Sequence, residues 1–304
     1  MRKIHEDPIV REPKTSWSPD SSWLAFTGSA KTNQVIWLYD VEGRQLHQVT
    51  DGGYNDKWPT FDSRGEYLFF VSGRNYQDSL TEDSVDYGSF SYPSTDLIMA
   101  LPLRNDLRGP GKPRSSMGNS AIEGSQKRIL IDLNDMERRC IVLVSDVGAY
   151  SNLASTREGK LLFSFVARDQ LFPSSPGSGP SIKLLDFAVQ SSNGNAEPKT
   201  LLEGFSDFRI SADGRSVLVR KNKTISRMEP VAGEKLKAAL NLGDMHEEIQ
   251  PSAEWRQIFM DAWRLYRDFF YDPDRRCAAW IGSQQGRNMQ VFSTFVPTVK
   301  MLTM

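Results

Sequence analysis

One short layout recurs four times in the chain, and a chain that repeats it has few folds open to it. An apolar or small residue, a tight polar turn and a β-run follow one another in residues 17–26 (WSPDSSWLAF), 61–70 (FDSRGEYLFF), 154–163 (ASTREGKLLF) and 210–219 (ISADGRSVLV). The first two copies begin about 44 residues apart, a spacing typical of repeat architectures. Gly159 and Gly214 fall at the turn position where a positive φ is expected. Further apolar runs at 35–39 (VIWLY), 97–103 (LIMALPL) and 182–187 (IKLLDF) predict third strands, and 46–50 predicts a short outer one. Four strands per roughly 40 to 45 residues is the period of a β-propeller, in which stacked blades bury faces that one sheet cannot bury alone. A β-sandwich, the rival architecture, gives no reason for the repeat.

The units count to about five blades, some incomplete, before the β-pattern stops near Val231. Trp17, Phe61 and Ile210 are expected to pack between blades, so truncating Trp17 to Ala is expected to cost about 3 to 5 kcal/mol if the ring is buried. Strands are predicted at 126–133 (QKRILIDL) and 139–144 (RCIVLV), and residues 4–10 read as the remnant of a strand with neighbours upstream. The polar stretches 72–93, 104–124 and 172–180 read as exposed loops. In the connector, 235–240 predicts a short outer strand or turn.

The chain then changes period. In residues 254–273 (EWRQIFMDAWRLYRDFFYDP), Trp255, Ile258, Phe259, Ala262, Tyr266, Phe269 and Phe270 recur at three- and four-residue steps and line one helical face. The opposite face is charged, with Asp261 to Arg264 and Arg264 to Asp268 spaced as helical ion pairs. Ser252 is the expected N-cap, Glu254 suits the first turn, and Pro273 disfavours helix at Asp272. After it, residues 275–304 contain no Asp or Glu and no usable helical stripe.

Charge excludes some functions. The net charge of -1 implies neither a nucleic-acid footprint nor an anionic-membrane patch. Cys140 and Cys277 form no framework and no metal-ligand spacing. The three histidines, His5, His47 and His246, read as structural, and His246-Glu247-Glu248 has the wrong spacing for a zinc protease. There is no Gly-x-Ser-x-Gly elbow, Walker loop or Gly-x-Gly-x-x-Gly. Asp20 and Asp213 read as turn residues bonding nearby backbone N–H groups. Asp78, Glu82, Asp83 and Asp86 read as a solvated face rather than a cation loop. The residues therefore assign no catalytic, cofactor-binding or metal-ligating position.

Blade turns of the Ser-Pro-Asp type running into a helix that reads Trp-x-x-x-Phe-x-x-Ala-Trp-x-x-x-x-Asp-Phe-Phe-Tyr-Asp-Pro resemble the tricorn protease family. Residues 98–106 (IMALPLRND), 128–139 (RILIDLNDMERR) and 201–221 (LLEGFSDFRISADGRSVLVRK) resemble its strand-and-loop, its "IDLxGIxxR" segment and its last blades. Trp280 also falls where the family has a Trp, while Cys277 stands where a Gly is usual. The resemblance covers about residues 1–280 and implies large cytosolic serine peptidases, in which six- and seven-bladed propellers precede a helical core, a PDZ domain and a second catalytic domain. It carries over no catalytic residue, because the family's catalytic His and Ser have no counterparts here.

The expected fold is mainly β, an irregular or partial β-propeller followed by an amphipathic α-helix opening a truncated helical domain. Its parts are 1–232 (propeller, the C-terminal blades of a seven-bladed ring), 233–251 (connector), 252–280 (start of the helical core domain) and 281–304 (atypical tail). The chain is expected to be cytoplasmic, without cofactors, and to meet peptides or unfolded polypeptide segments but no nucleic acid or membrane. The resemblance implies a non-catalytic, peptide-gating portion of a peptidase; the alternative is a non-enzymatic propeller that binds proteins or peptides. The aromatic helix face is expected to be under-covered and open to self-association.

Overall fold

The computed structural model describes residues 4–7, 10, 13–30, 32–75, 95–111, 128–167, 179–189, 196–234, 236–243, 245 and 250–265, and the backbone alone of 85–86, 89–90 and 266–269. The chain divides into two compact units, Met1–Leu240 and Asn241–Met304. Asp78, Glu82, Asp83, His246, Cys277, Trp280 and the tail after them lie outside the described residues, as do most of the loops predicted at 72–93, 104–124 and 172–180.

The first unit is a succession of antiparallel sheets. The first joins β1 (Thr15–Trp17), β2 (Trp23–Ala30), β3 (Asn33–Asp40) and β4 (Gln45–Gln48) in chain order. The second contains β5 (Asp56–Phe61) and β6 (Tyr67–Ser72); after a two-stranded ribbon of β7 (Val85–Asp86) and β8 (Ser89–Phe90), β9 (Leu97–Pro102) and β10 (Ile141–Val144) complete it in the order β10-β9-β6-β5. The third runs β11 (Gly148–Ser155), β12 (Leu161–Ala167), β13 (Ser181–Leu185) and β14 (Lys199–Glu203), and the fourth β15 (Asp207–Ile210), β16 (Val217–Lys221) and β17 (Thr224–Met228). The connector extends the fourth sheet: Ser226 bridges Ala239, and the N–H groups of Lys237 and Leu240 donate to the carbonyls of Arg227 and Ile225. Among the described residues the blades are four sheets, the segment 139–144 supplying the outer strand of the second.

Side-chain alternation explains why these sheets stack. Every residue of β6 and β9 is buried. Leu68 and Phe70 of β6 face the first sheet with Trp23, Ile36 and Leu38, while Tyr67, Phe69 and Val71 face the third with Tyr150, Leu161 and Phe163. One strand therefore feeds two cores through its two faces. A third core sets Leu162 and Leu184 against Phe208, Val217 and Val219. Strands covered on both sides lose the polar alternation of a one-sided sheet, which is why YLFFVS and LIMALP read as continuous apolar runs.

Three expectations need correction. Trp17 is 56% exposed, whereas Phe61 is 4% exposed and Ile210 half-buried. On the three-residue strand β1 it is Ser16 that reaches the second sheet, its Oγ accepting the N–H of Phe61 at 3.0 Å, so alternation turns Trp17 elsewhere. Arg128–Leu133 is not a strand but a strap. Ile129, Ile131 and Leu133 pack on the first core, but the N–H groups of Ile129 and Asp132 donate to the Asp20 carboxylate and the Leu103 carbonyl instead of to a ladder. At the other end, Ile4–Asp7 covers the outer face of the first sheet: the His5 ring lies 5.6 Å from Phe26 and 5.4 Å from Trp37, and Asp7 accepts from the N–H and hydroxyl of Ser29.

The second unit holds α1, Pro251–Phe269. Its cap is not Ser252, because the Gln250 carbonyl already accepts the N–H groups of Ala253 and Glu254 at 3.0 and 3.1 Å. Pro251 at the first helical position gives up no N–H that the helix needs. Arg264 meets Asp261 at 3.0 Å across the expected spacing. Trp255, Ile258 and Leu265 are exposed.

Candidate functional site

Each turn of the repeat closes on itself. In the first, the Ser18 hydroxyl donates to Asp20 Oδ1 at 2.6 Å and accepts the N–H of Trp23 at 2.9 Å, and Asp20 also takes the N–H and hydroxyl of Ser22. Ser211 and Asp213 repeat this in the fourth turn with Ser216 and Arg215. In the second turn Asp62 stands in place of the serine and accepts three backbone N–H groups, those of Arg64, Glu66 and Tyr67. In the third, Thr156 accepts the N–H of Lys160. Gly65, Gly159 and Gly214 take positive φ of 68°, 81° and 68°, and Ser21 takes 60° in the one copy without glycine.

Closed turns fix the strands before them. β1, β5, β11 and β15 are each the terminal strand of their sheet, and all four line one cleft of about 730 Å³. Four residues before each turn stand Lys14, Trp58, Asn152 and Asp207. These meet in pairs: Lys14 Nζ lies 4.9 Å from the centre of the Trp58 ring, and Asn152 Nδ2 donates to the Phe208 carbonyl at 2.8 Å and to Asp207 Oδ1 at 3.4 Å. Trp58 and Asn152 have positive φ, 59° and 52°, where the ladders of β5 and β11 shift register. A bulge at the same repeat position in neighbouring blades re-aims both side chains, and non-glycine residues held there are often found at functional surfaces. Trp17 lines the same cleft, which accounts for its exposure.

The acids of the cleft are taken up by the turns. Of its acids, Asp62 is consumed by its turn, and although burial pushes its carboxyl up, the three N–H groups it accepts pull the other way. Asp213 is held below the usual carboxylate range by the Ser211 hydroxyl and the Arg215 N–H. The hydroxyl beside Asp213, that of Ser211, is taken up by the turn, donating to Asp213 and accepting the N–H of Ser216. His5 lies on the outer face of the first sheet, and His47 on β4 lies 6.1 Å from the Trp23 ring. Cys140 packs on the first core, and burial pushes its thiol up to about 12, the behaviour of an inert cysteine. Among the described residues no group of three His, Cys, Asp or Glu could hold a metal ion. What the cleft offers is two indole faces, Trp17 and Trp58, and backbone edges on four strands. Sequence reasoning missed it because Lys14, Trp58 and Asn152, which line it, share a repeat position but no chemistry.

Comparison with known proteins identifies both units. Residues 1–230 match the family model of the tricorn protease second beta propeller domain, and residues 251–282 match that of the tricorn protease C1 domain. Tricorn protease homolog 1 of Streptomyces coelicolor is 24% identical over 287 residues, which cover 88% of this chain and 26% of its own length. The tricorn protease of Thermoplasma acidophilum is 26% identical over 241 residues, 79% of this chain and 21% of its own. A crystal structure of the tricorn protease superposes with a TM-score of 0.67 at 21% identity, over 92% of this chain and 26% of that one, a likeness of fold. The chain thus spans about a quarter of the length of these relatives.

Proposed function

The chain belongs to the tricorn protease family, and from that membership we propose that its propeller is a non-catalytic, peptide-gating portion of a tricorn-like serine peptidase of the cytosol. The observation that carries the reading is the convergence of four terminal strands on one cleft. A terminal strand presents backbone donors and acceptors to any extended polypeptide whatever its sequence, and the two indoles add apolar contact. Weak, sequence-tolerant binding is what a gate requires. In this reading cleavage is left to residues outside the propeller. Among the described residues no helix is long and apolar enough to cross a membrane.

Titrating the chain with extended peptides of unrelated sequence while following tryptophan fluorescence tests the reading. Weak binding of all of them, reduced in Trp17→Ala and Trp58→Ala, supports it. One tight, sequence-specific peptide among non-binders would favour a dedicated protein-binding module. Turnover of fluorogenic peptides or labelling by an active-site serine probe would overturn the non-catalytic assignment.

A further inference from the structure

Beside the cleft, the third and fourth turns enclose a second hollow of about 570 Å³ lined by Arg157, Arg215 and Arg227. Its charge is unbalanced for a structural reason. The two acids on the same rim are already engaged, Glu158 with Lys160 at 2.8 Å and Glu229 with Lys237 at 2.7 Å. None of the three guanidiniums lies within ion-pair distance of a carboxylate among the described residues, and the attraction of Arg227 to Glu229 and of Arg215 to Asp213 acts over a longer range. Arg227 is also oriented, its Nε donating to Oγ of the buried Ser216 at 3.0 Å and leaving both Nη groups for a ligand. Arg157 and Arg215 are held together through backbone: the Arg157 N–H donates to the Gly214 carbonyl at 3.1 Å, so tightly that a Cβ on Gly214 would lie 2.5 Å from the Arg157 nitrogen.

Like charges gathered on one rim repel, and forked donors match oxyanions in pairs. The hollow shares Thr156, Arg157 and Gly214 with the walls of the central cleft. We infer that Arg157, Arg215 and Arg227 form an anion subsite that recognises clustered carboxylates of an acidic polypeptide segment lying along the cleft. This rests on the reading of the cleft as a polypeptide site. A hollow of this size exceeds what one small oxyanion fills and continues into the cleft, which favours a peptide over a free ion.

Two labelled peptides of equal length test it, one carrying a Glu-Glu-Asp cluster and the other Gln-Gln-Asn at the same positions, with inorganic phosphate as competitor. The acidic peptide is expected to bind about tenfold tighter at low ionic strength, with the advantage shrinking as salt is added. An Arg215→Gln, Arg227→Gln double variant, both residues exposed and neither on the cleft wall, is expected to lose that advantage while binding the neutral peptide as before. Equal binding of the two peptides, or an advantage that survives the double variant, overturns the subsite and leaves the cleft reading standing. No binding of either peptide overturns both. Phosphate that binds the wild type and not the double variant, without an acidic-peptide advantage, would reassign the arginines to a free oxyanion.

Discussion

The first and fourth blade turns carry the same Ser-x-Asp layout and three side-chain hydrogen bonds in common, yet they live in different surroundings. Ser18 and Asp20 close the first turn as Ser211 and Asp213 close the fourth. In the first, the strap adds a bond from the Ile129 N–H to Asp20 at 2.6 Å, and the Trp23 indole donates to the Ile129 carbonyl at 3.2 Å. The fourth is covered less: the Arg157 N–H reaches the Gly214 carbonyl, but Asp213 is exposed, and Ser216 stands where the first turn has Trp23. A turn's shape is thus written in five or six residues, but its contribution to stability is set by what reaches it from elsewhere.

Substitutions in the two turns break or sharpen that contrast. The largest effect is expected from Trp23→Ala, which empties a buried site and orphans the Ile129 carbonyl; urea denaturation should show a loss of about 3–5 kcal/mol, against little change for Ser216→Ala. Asp20→Ala leaves the hydroxyls of Ser18 and Ser22 and the Ile129 N–H without their acceptor, and about 1.5–3 kcal/mol should be lost.

That difference is pH-dependent. Burial of Asp20 tends to raise its carboxyl, but the bonds from Ser18, Ser22 and the Ile129 N–H outweigh it and hold the group at about 2. A folded-state value below the unfolded one gives stability that is present above the ordinary carboxylate range and lost as pH falls through about 2. Denaturation midpoints of wild type and Asp20→Ala should therefore converge as pH falls from about 4 to about 2; a constant gap would remove Asp20 from the linkage.

Backbone substitutions give the next pair. Gly214→Ala should cost about 1–2 kcal/mol for its positive φ, before the crowding against Arg157 is counted, whereas Ser21→Gly at the equivalent position should gain about 0.4–1 kcal/mol, the relief of left-handed strain being partly offset by the freedom that glycine adds to the unfolded chain. Smallest is Asp213→Ala, expected to leave the global midpoint unchanged and to speed amide exchange only at Arg215, whose N–H it accepts.

What was legible in the sequence follows the same division. The turns, the strands after them and the helix are encoded by neighbours in the chain, so Gly159, Gly214, Asp20 and the face through Trp255 and Ile258 could be read directly. The alternation of Ile129, Ile131 and Leu133 correctly marks residues that point into a core. It does not say that their backbone finds a carboxylate and a loop carbonyl instead of a strand, because those partners lie far away in the chain. Trp17 misled for the matching reason: its pattern is that of an inner-strand aromatic, and only the arrangement of four blades decides whether such a ring meets a core or a cleft.

The strap also sets an order of events. The bond between Ile129 and Asp20 spans 109 residues, while the hairpins of the first sheet close within that sheet. Closing so long a loop is entropically costly until β5, β6 and β9 have gathered the intervening chain, so the strap has to dock after the first two blades have met. During refolding the Trp23 indole is buried from one side early and capped from the other late. Its fluorescence should report two steps, and Ile129→Ala should slow or weaken only the second.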